Sequence, residues 1–305
     1  MKISLTLILL SLIVFLSSCA TNINKNEYTD KIKLEINTNN KNKEKIIETV
    51  LLDNIQTEIN FESKGGYYIE DEILNSKLKF FCNSFIRDQR NLLEKVVFEN
   101  NNKEKKVLII YTKEFESLYK ELSKKYPNEY YFLINEENIE SQVKNILHVD
   151  KSLLKNKKFS NLDTELKIIH EPRIRNDISK IYFLSGYDLG KTIVPLFRNY
   201  AFEKSFYSTT EVFHEANDMK KLVDFENMLT PTTNNMMNNI SRGNKISIKN
   251  QIEMTLIRDY ILIEKVYQNN LFKDEMVPDS GNLKIKKGSC VNRKLSLWKI
   301  STDLI

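Results

Sequence analysis

Glycine is scarce, with seven in 305 residues, and proline contributes five. Phosphate cradles and dinucleotide fingerprints are built from closely spaced glycines, and the chain holds no Walker A loop, no GxGxxG and no GxSxG. Nucleotide-dependent chemistry and the hydrolase nucleophile elbow therefore lack their usual material. Histidine is scarcer still: His148, His170 and His214 show no HxxxH spacing and no CxxC accompanies them, so neither a metal site nor a cofactor is expected. Charge of one sign is lacking as well. The formal net charge of +5 arises from interspersed Lys and Glu, which makes a mixed solvated surface and gives no ground for a nucleic-acid partner. The abundance of Lys, Asn and Ile fits AT-rich coding, so single residues of these types carry little weight.

Long apolar runs are also missing, save one at the start. Met1 and Lys2 precede ISLTLILLSLIVFL, about 14 residues, the length of a signal-peptide core and short of the ~20 that span a bilayer. Leu16, Ser17, Ser18 and Cys19 follow, which is the pattern of a bacterial lipobox: small side chains fit the signal peptidase and the Cys sulfur takes the lipid. Cleavage before Cys19 would leave two or three acyl chains on one residue, and at ~0.8 kcal/mol per buried methylene that is a stable anchor. Ala20, where Asp would mark inner-membrane retention, favours the outer membrane. Of the other cysteines, Cys82 lies beside Phe80 and Phe81, and Cys290 is far along the chain. An oxidising periplasm permits a bond between them; the expectation is two buried unpaired thiols.

Residues 20–45 are polar and without sustained period, and they are expected to form a tether of about 26 residues. From residue 46 onward strands are expected to alternate with helices. IIETVLLD (46–53) and LKFFCN (78–83) are candidate strands, and SFIRDQRNLLEKVVF (84–98) places Phe85, Gln89, Leu92, Leu93 and Val96 at helical spacing behind a Ser84 cap. KVLIIYT (106–112) is the clearest strand. Then come helix 114–126, strand 129–134, helix 138–155, strands 166–170 and 179–185, helix 189–201 and strand 205–209. A long amphipathic helix spans 250–268, and alternation around Gly288 predicts a terminal hairpin holding Trp298. This order implies an α/β fold with mostly parallel sheets.

In such folds ligands sit beyond the carboxyl ends of the strands, which singles out Ser185, Gly186, Tyr187 and Asp188 after one strand and Ser208, Thr209 and Thr210 after another. Turn and cap chemistry explains the same residues equally simply. His214 and Glu215, beside Glu211 and Asp218, suit acid–base work only if a nucleophile such as Ser208 lies within reach. No catalytic constellation stands out, and the chain is not expected to be an enzyme.

Two stretches then carry a family resemblance. PRIRNDISKIYFLSGYDLGKTIVPLFRNYAFEKSFYSTTEV (172–212) resembles a segment of the penicillin-binding protein activator lipoproteins, the LppC family, through Arg173, Arg175, Asp177, Tyr200, Tyr207 and Ser208. SGNLKIKKGSCVNRKLSLWKIS (280–301) is similar to the family's closing pattern through Gly281, Leu283, Gly288, Arg293, Leu295 and Trp298. More loosely, residues 78–112 resemble its helix-then-strand passage. The resemblance implies a two-lobed type I periplasmic-binding-protein-like domain with a reduced first lobe: lobe 1 about 46–104 and 225–275, lobe 2 about 105–222, hairpin 280–301. It implies an outer-membrane lipoprotein, facing the periplasm, that activates a class A penicillin-binding protein, the peptidoglycan synthase. A solute-binding lipoprotein using the interlobe cleft is the alternative. The chain departs from the family in carrying no helical-repeat stretch between Cys19 and residue 46.

Overall fold

The computed structural model describes residues 31–99, 104–160, 173–241, 246–272 and 275–301. The leader, Cys19, the strand expected at 166–170 and His170 lie outside the described residues. Among the described residues no helix is long and apolar enough to cross a membrane.

Folding begins earlier in the chain than expected. Ile32, Leu34 and Ile36 alternate with Lys33, Glu35 and Asn37, and this period of two forms β1 (Ile32–Thr38) with the apolar residues buried. Asn39 caps the next helix by accepting a bond from Asn42 N, and α1 runs Asn40–Leu52. Residues 32–45 of the expected tether are therefore folded, its residues 20–30 lie outside the described residues, and the strand expected at 46–53 is the second half of α1. The helix wins because Asn42, Lys45, Ile46, Thr49 and Val50 share one buried face, a stripe that is partly polar and so invisible to an apolar count. β2 (Thr57–Asn60) and β3 (Tyr67–Ile69) flank β1 on either side, both parallel to it, in the order β2-β1-β3. This three-stranded sheet is the reduced first lobe.

The segment 78–83 is no strand. Phe80 takes a positive φ of 71°, and only the single bridge Phe81 to Val291 pairs with another chain segment. Cys82 and Cys290 are joined in a disulfide with Cα atoms 5.0 Å apart, which corrects the expectation of free thiols. Proximity comes from backbone pairing on both sides: Cys82 N donates to Val291 O (3.0 Å), and Val291 N donates to Phe80 O (2.7 Å). Ser84 then caps α2 (Phe85–Glu94) through Arg87 N, as expected, and a π-turn continues it over Lys95–Glu99.

The second lobe is a six-stranded sheet in the order β12-β8-β7-β6-β4-β5. It consists of β4 (Lys106–Tyr111), β5 (Tyr130–Leu133), β6 (Ile178–Leu184), β7 (Ser205–Tyr207) and β8 (Met228–Thr232), all parallel, with β12 (Ser296–Lys299) antiparallel at one edge. β4 and β6 hold fully buried runs, Val107 to Ile110 and Ile181 to Leu184, as central parallel strands covered on both faces do. The connecting helices are α3 (Glu116–Lys125), α4 (Ile139–Ile146), α5 (Val149–Ser160) and α6 (Tyr187–Ala201). The single helix expected over 138–155 is split because His148 adopts φ 63°. Two 3-10 turns, Thr210–Phe213 and Met219–Phe225, lead to β8. β8 pairs with β7, so residues 228–232 belong to the second lobe and not to the first as expected.

α7 (Asn234–Ser241) and α8 (Ile248–Gln268) return the chain to the first lobe, where α8 packs on α1 and β1. Three cross-pairs fix that seam: Lys249 with Glu72 at 2.6 Å, Lys45 with Glu253, and Arg258 with Asp53. Burial, reinforced by Lys41 and Lys249, pushes the Lys45 ammonium down to about 8. β9 (Glu275–Met276), β10 (Asn282–Lys284) and β11 (Asn292–Lys294) make a small antiparallel sheet, so the expected hairpin is β10–β11. β12 leaves it for the large sheet, where buried Trp298 stands opposite Thr230.

Candidate functional site

The carboxyl ends of β4, β6, β7 and β8 bring together Thr112, Ser185, Ser208 and Thr232, where a sheet of this kind holds its ligand. Each of these side chains is buried. Ser208 Oγ donates to Phe183 O at 2.9 Å, and Thr209 Oγ1 donates to Glu211 Oε2 at 2.7 Å. Two neighbours on α2 close over them. Gln89 Oε1 accepts from Thr210 N (3.3 Å) and Thr210 Oγ1 (3.1 Å), while its Nε2 donates to Pro231 O at 2.6 Å. Arg90 donates one guanidinium nitrogen to both carboxylate oxygens of Glu211, at 3.2 and 3.3 Å. One helix thereby ties the ends of two strands together.

At the β4–β6 side the Glu114 carboxylate accepts from Thr112 Oγ1 (3.1 Å) and from Gly186 N (2.6 Å), the residue that caps α6. A negative charge is favoured there by the helix N-terminus. Gly186 permits the approach, since a Cβ would stand 2.7 Å from Glu114 Oε1. Tyr187 is half-buried with its ring 6.1 Å from Phe225, and Asp188 is exposed and paired with Lys191 at 2.8 Å. Among the described residues Ser185 Oγ and Arg90 Nε are left buried without a partner at this edge.

Acid–base chemistry is not arranged here. His214 Nε2 lies 3.0 Å from Thr210 Oγ1, and because that hydroxyl gives its one proton to Gln89, the imidazole presents Nε2–H. Burial, with Lys249 adding to it, pushes His214 down to about 3, so the ring is neutral at physiological pH. Ser208 spends its proton on a main-chain carbonyl and makes no bond to His214, so the pair is no nucleophile and base. Among the described residues no group of three or more His, Cys, Asp and Glu is placed to hold a metal.

The remaining singled-out residues fall into two clusters that brace the fold. Arg175 donates to both oxygens of Asp177 at 2.7 and 2.6 Å, Tyr130 OH donates to Asp177 at 2.8 Å, and the guanidinium sits 4.0 Å over the Tyr130 ring. The Arg175 bonds hold the Asp177 carboxyl well below the usual carboxylate range. This clamp stands at the amino ends of β5 and β6, opposite the expected ligand edge. Arg173 is exposed, with its main-chain N–H donating to Ser152.

The second cluster centres on Arg293 of β11. Its guanidinium reaches Asp88 of α2 at 3.1 Å and Ser280 Oγ at 3.2 Å, over the rings of Phe81 (4.7 Å) and Phe85 (5.4 Å). Ser280 N in turn donates to Asp259 of α8 at 3.1 Å. Gly281, at φ 144°, lets the Arg293 stem pass, since a Cβ would meet Arg293 Cγ at 2.7 Å. Burial raises both Asp88 and Asp259, the latter to about 6, with Arg293 opposing in each case. Tyr207 is buried in the large sheet. Gln89, Arg90, Glu114, Asp88 and Asp259 were not singled out from the sequence. Gln89 had a signal, a polar residue on an otherwise apolar helical stripe, and the others had none.

No protein-family model and no curated protein matches this chain. Among solved structures it is similar to a putative branched-chain amino acid ABC transporter from Rhodospirillum rubrum, at 7% identity and TM-score 0.51, over 89% of this chain and 98% of that one. It is also similar to the LpoA (YraM) C-domain from Haemophilus influenzae, described as a regulator of PBP1A, at 7% identity and TM-score 0.45, over 89% and 80%. Full-length LpoA from the same organism matches at 8% identity and TM-score 0.42, over 88% of this chain. The chain spans about half the length of that full-length protein, 47% of it. The first of these likenesses shows the fold, which is a periplasmic-binding-protein-like α/β fold with a mostly parallel central sheet.

Proposed function

We propose that this protein is a non-enzymatic regulator, lipid-anchored through Cys19 on the periplasmic face of the outer membrane, that binds a class A penicillin-binding protein and favours its active conformation. A regulator of this kind needs only a surface with higher affinity for the active state of its partner. The observation that supports this over a solute receptor is the strand-end edge: Gln89 and Arg90 fill it from α2, and Ser208, Thr209, Thr210 and Glu211, which would greet a solute, are bonded within the protein. The lipobox pattern and the motifs at 172–212 and 280–301 supply the partner class.

Purified lipid-free residues 20–305, added to the cognate synthase, should bind saturably and accelerate glycan polymerisation and cross-linking. The absence of both binding and acceleration would refute the proposal. The unpartnered Ser185 Oγ and Arg90 Nε are the features that favour a solute. A small ligand that raises the melting temperature saturably, and that Ser185→Ala abolishes, would establish the receptor reading instead.

A further inference from the structure

One end of the first lobe gathers three chain segments. Ile32 N donates to Gln56 O at 3.1 Å, so the amino end of β1 lies beside the segment that follows α1. Arg258 of α8 is paired with Asp53, the residue that caps α1 at its carboxyl end, and Gln268 at the end of α8 donates to Lys33 O at 2.9 Å. The carboxyl end of α1 thus meets the middle of α8, and the carboxyl end of α8 meets the start of β1.

What they present there is apolar. Leu51 is 71% exposed and Leu52 58%, with Ile47 one turn behind, and Leu262 and Leu271 are exposed on and after α8. This departs from an ordinary amphipathic helix, since α1 shows apolar residues on its outer face as well as burying Ile46 and Val50 beside Asn42, Lys45 and Thr49. Around the end stand exposed Lys33 and Lys265, with Lys286 and Lys287 in the loop whose Ser289 O accepts from Tyr267. Of the acidic groups on this part of the lobe, exposed Glu44 and Glu48 border Ile47, Leu51 and Leu52 directly, Glu35 and Glu58 are exposed on β1 and β2, and Asp53 and Glu264 are paired with Arg258 and Lys79.

The geometry points to this end as the face that lies on the phospholipid surface carrying the anchor. It rests on the acylated Cys19 proposed above. Twelve residues separate Cys19 from Ile32, at most about 45 Å of chain. β1 comes in at the same end as the exposed leucines, so the anchor holds that end nearest the bilayer. Leucine side chains at the acyl boundary with lysines among the headgroups are the arrangement of an interfacial helix.

The test uses the full lipidated chain with one added thiol, Leu51→Cys or Lys41→Cys. Cys19 is acylated and Cys82 is bonded to Cys290, so only the new thiol takes the environment-sensitive label NBD. Residues 41 and 51 are about 15 Å apart along one helix. In vesicles of phosphatidylethanolamine and phosphatidylglycerol containing nitroxide-bearing lipid, the label at 51 should be quenched at least twofold more than at 41. Ile47→Ser with Leu52→Ser in the Leu51→Cys chain should reduce that quenching. Equal quenching at the two positions, or none at 51, overturns the inference while leaving the anchor intact. A blue shift at 51 that grows with protein concentration without vesicles assigns the face to a second copy, and also overturns it. Unmodified Cys19 by mass spectrometry overturns both the anchor and this orientation.

Discussion

Replacing both Cys82 and Cys290 by Ala isolates what the bridge contributes. The two residues are 208 positions apart, and the chain-entropy treatment of a loop that long gives about 5 kcal/mol, with measured bridges commonly delivering about 2–5 kcal/mol. For a chain of this size each kcal/mol moves the melting temperature by about 2–4 °C, so a fall on the order of 10 °C is expected. The variant should still fold, because the main-chain bonds from Cys82 N and Val291 N do not involve sulfur. Thermal unfolding by circular dichroism, with and without reductant, reads the effect. Reductant should lower the melting temperature of the natural chain and leave that of the variant unchanged, since Cys290 is exposed and accessible. Two alkylatable thiols at 82 and 290 in protein purified without reductant, or equal melting temperatures for the two chains, would refute the reasoning.

Two further perturbations address the Arg293 cluster. Arg293→Met strands the buried Asp88 carboxylate with Asn83 as its remaining donor, and should cost about 3–5 kcal/mol in denaturant unfolding. Adding Asp88→Leu should recover part of that loss, a non-additivity that independent sites would not show. Asp259 bears on pH: its folded value of about 6 exceeds the ~3.9 of a free Asp, so the native state holds the proton more tightly. The stability it contributes is fully present below about pH 4 and lost as pH rises through about 6. Asp259→Asn should therefore lose about 2 kcal/mol less than the natural chain between pH 4.5 and 7, and equal slopes would count against the assignment.

The second lobe was largely legible in the sequence, and the first was not. KVLIIYT and SKIYFLS are continuous apolar runs because parallel strands covered on both faces have no polar side to show. α6 and α8 announced themselves by periodicity. In α1 the signal is mixed: Ile47, Leu51 and Leu52 face outward while Asn42 and Lys45 are buried beside Ile46 and Val50, so IIETVLLD reads as a strand and its polar lead-in as a tether. β1 carried a clean alternation at Ile32, Leu34 and Ile36 that the polar surroundings concealed. The site failed for another reason. Ser185, Ser208 and Thr209 lie at or just after strand ends, yet whether such an edge is open or filled depends on Gln89 and Arg90, about a hundred residues away. Composition and spacing carry no information about contacts of that range.

The bridge between Cys82 and Cys290 has a further meaning for biogenesis. A chain with three thiols in an oxidising compartment has three possible intramolecular pairings. Acylation of Cys19, as proposed, would remove it from that competition and leave oxidation one intramolecular product. Because 208 positions separate its two halves, the bond closes only once everything between them has been made, and a chain cut short before Cys290 leaves Cys82 unmatched.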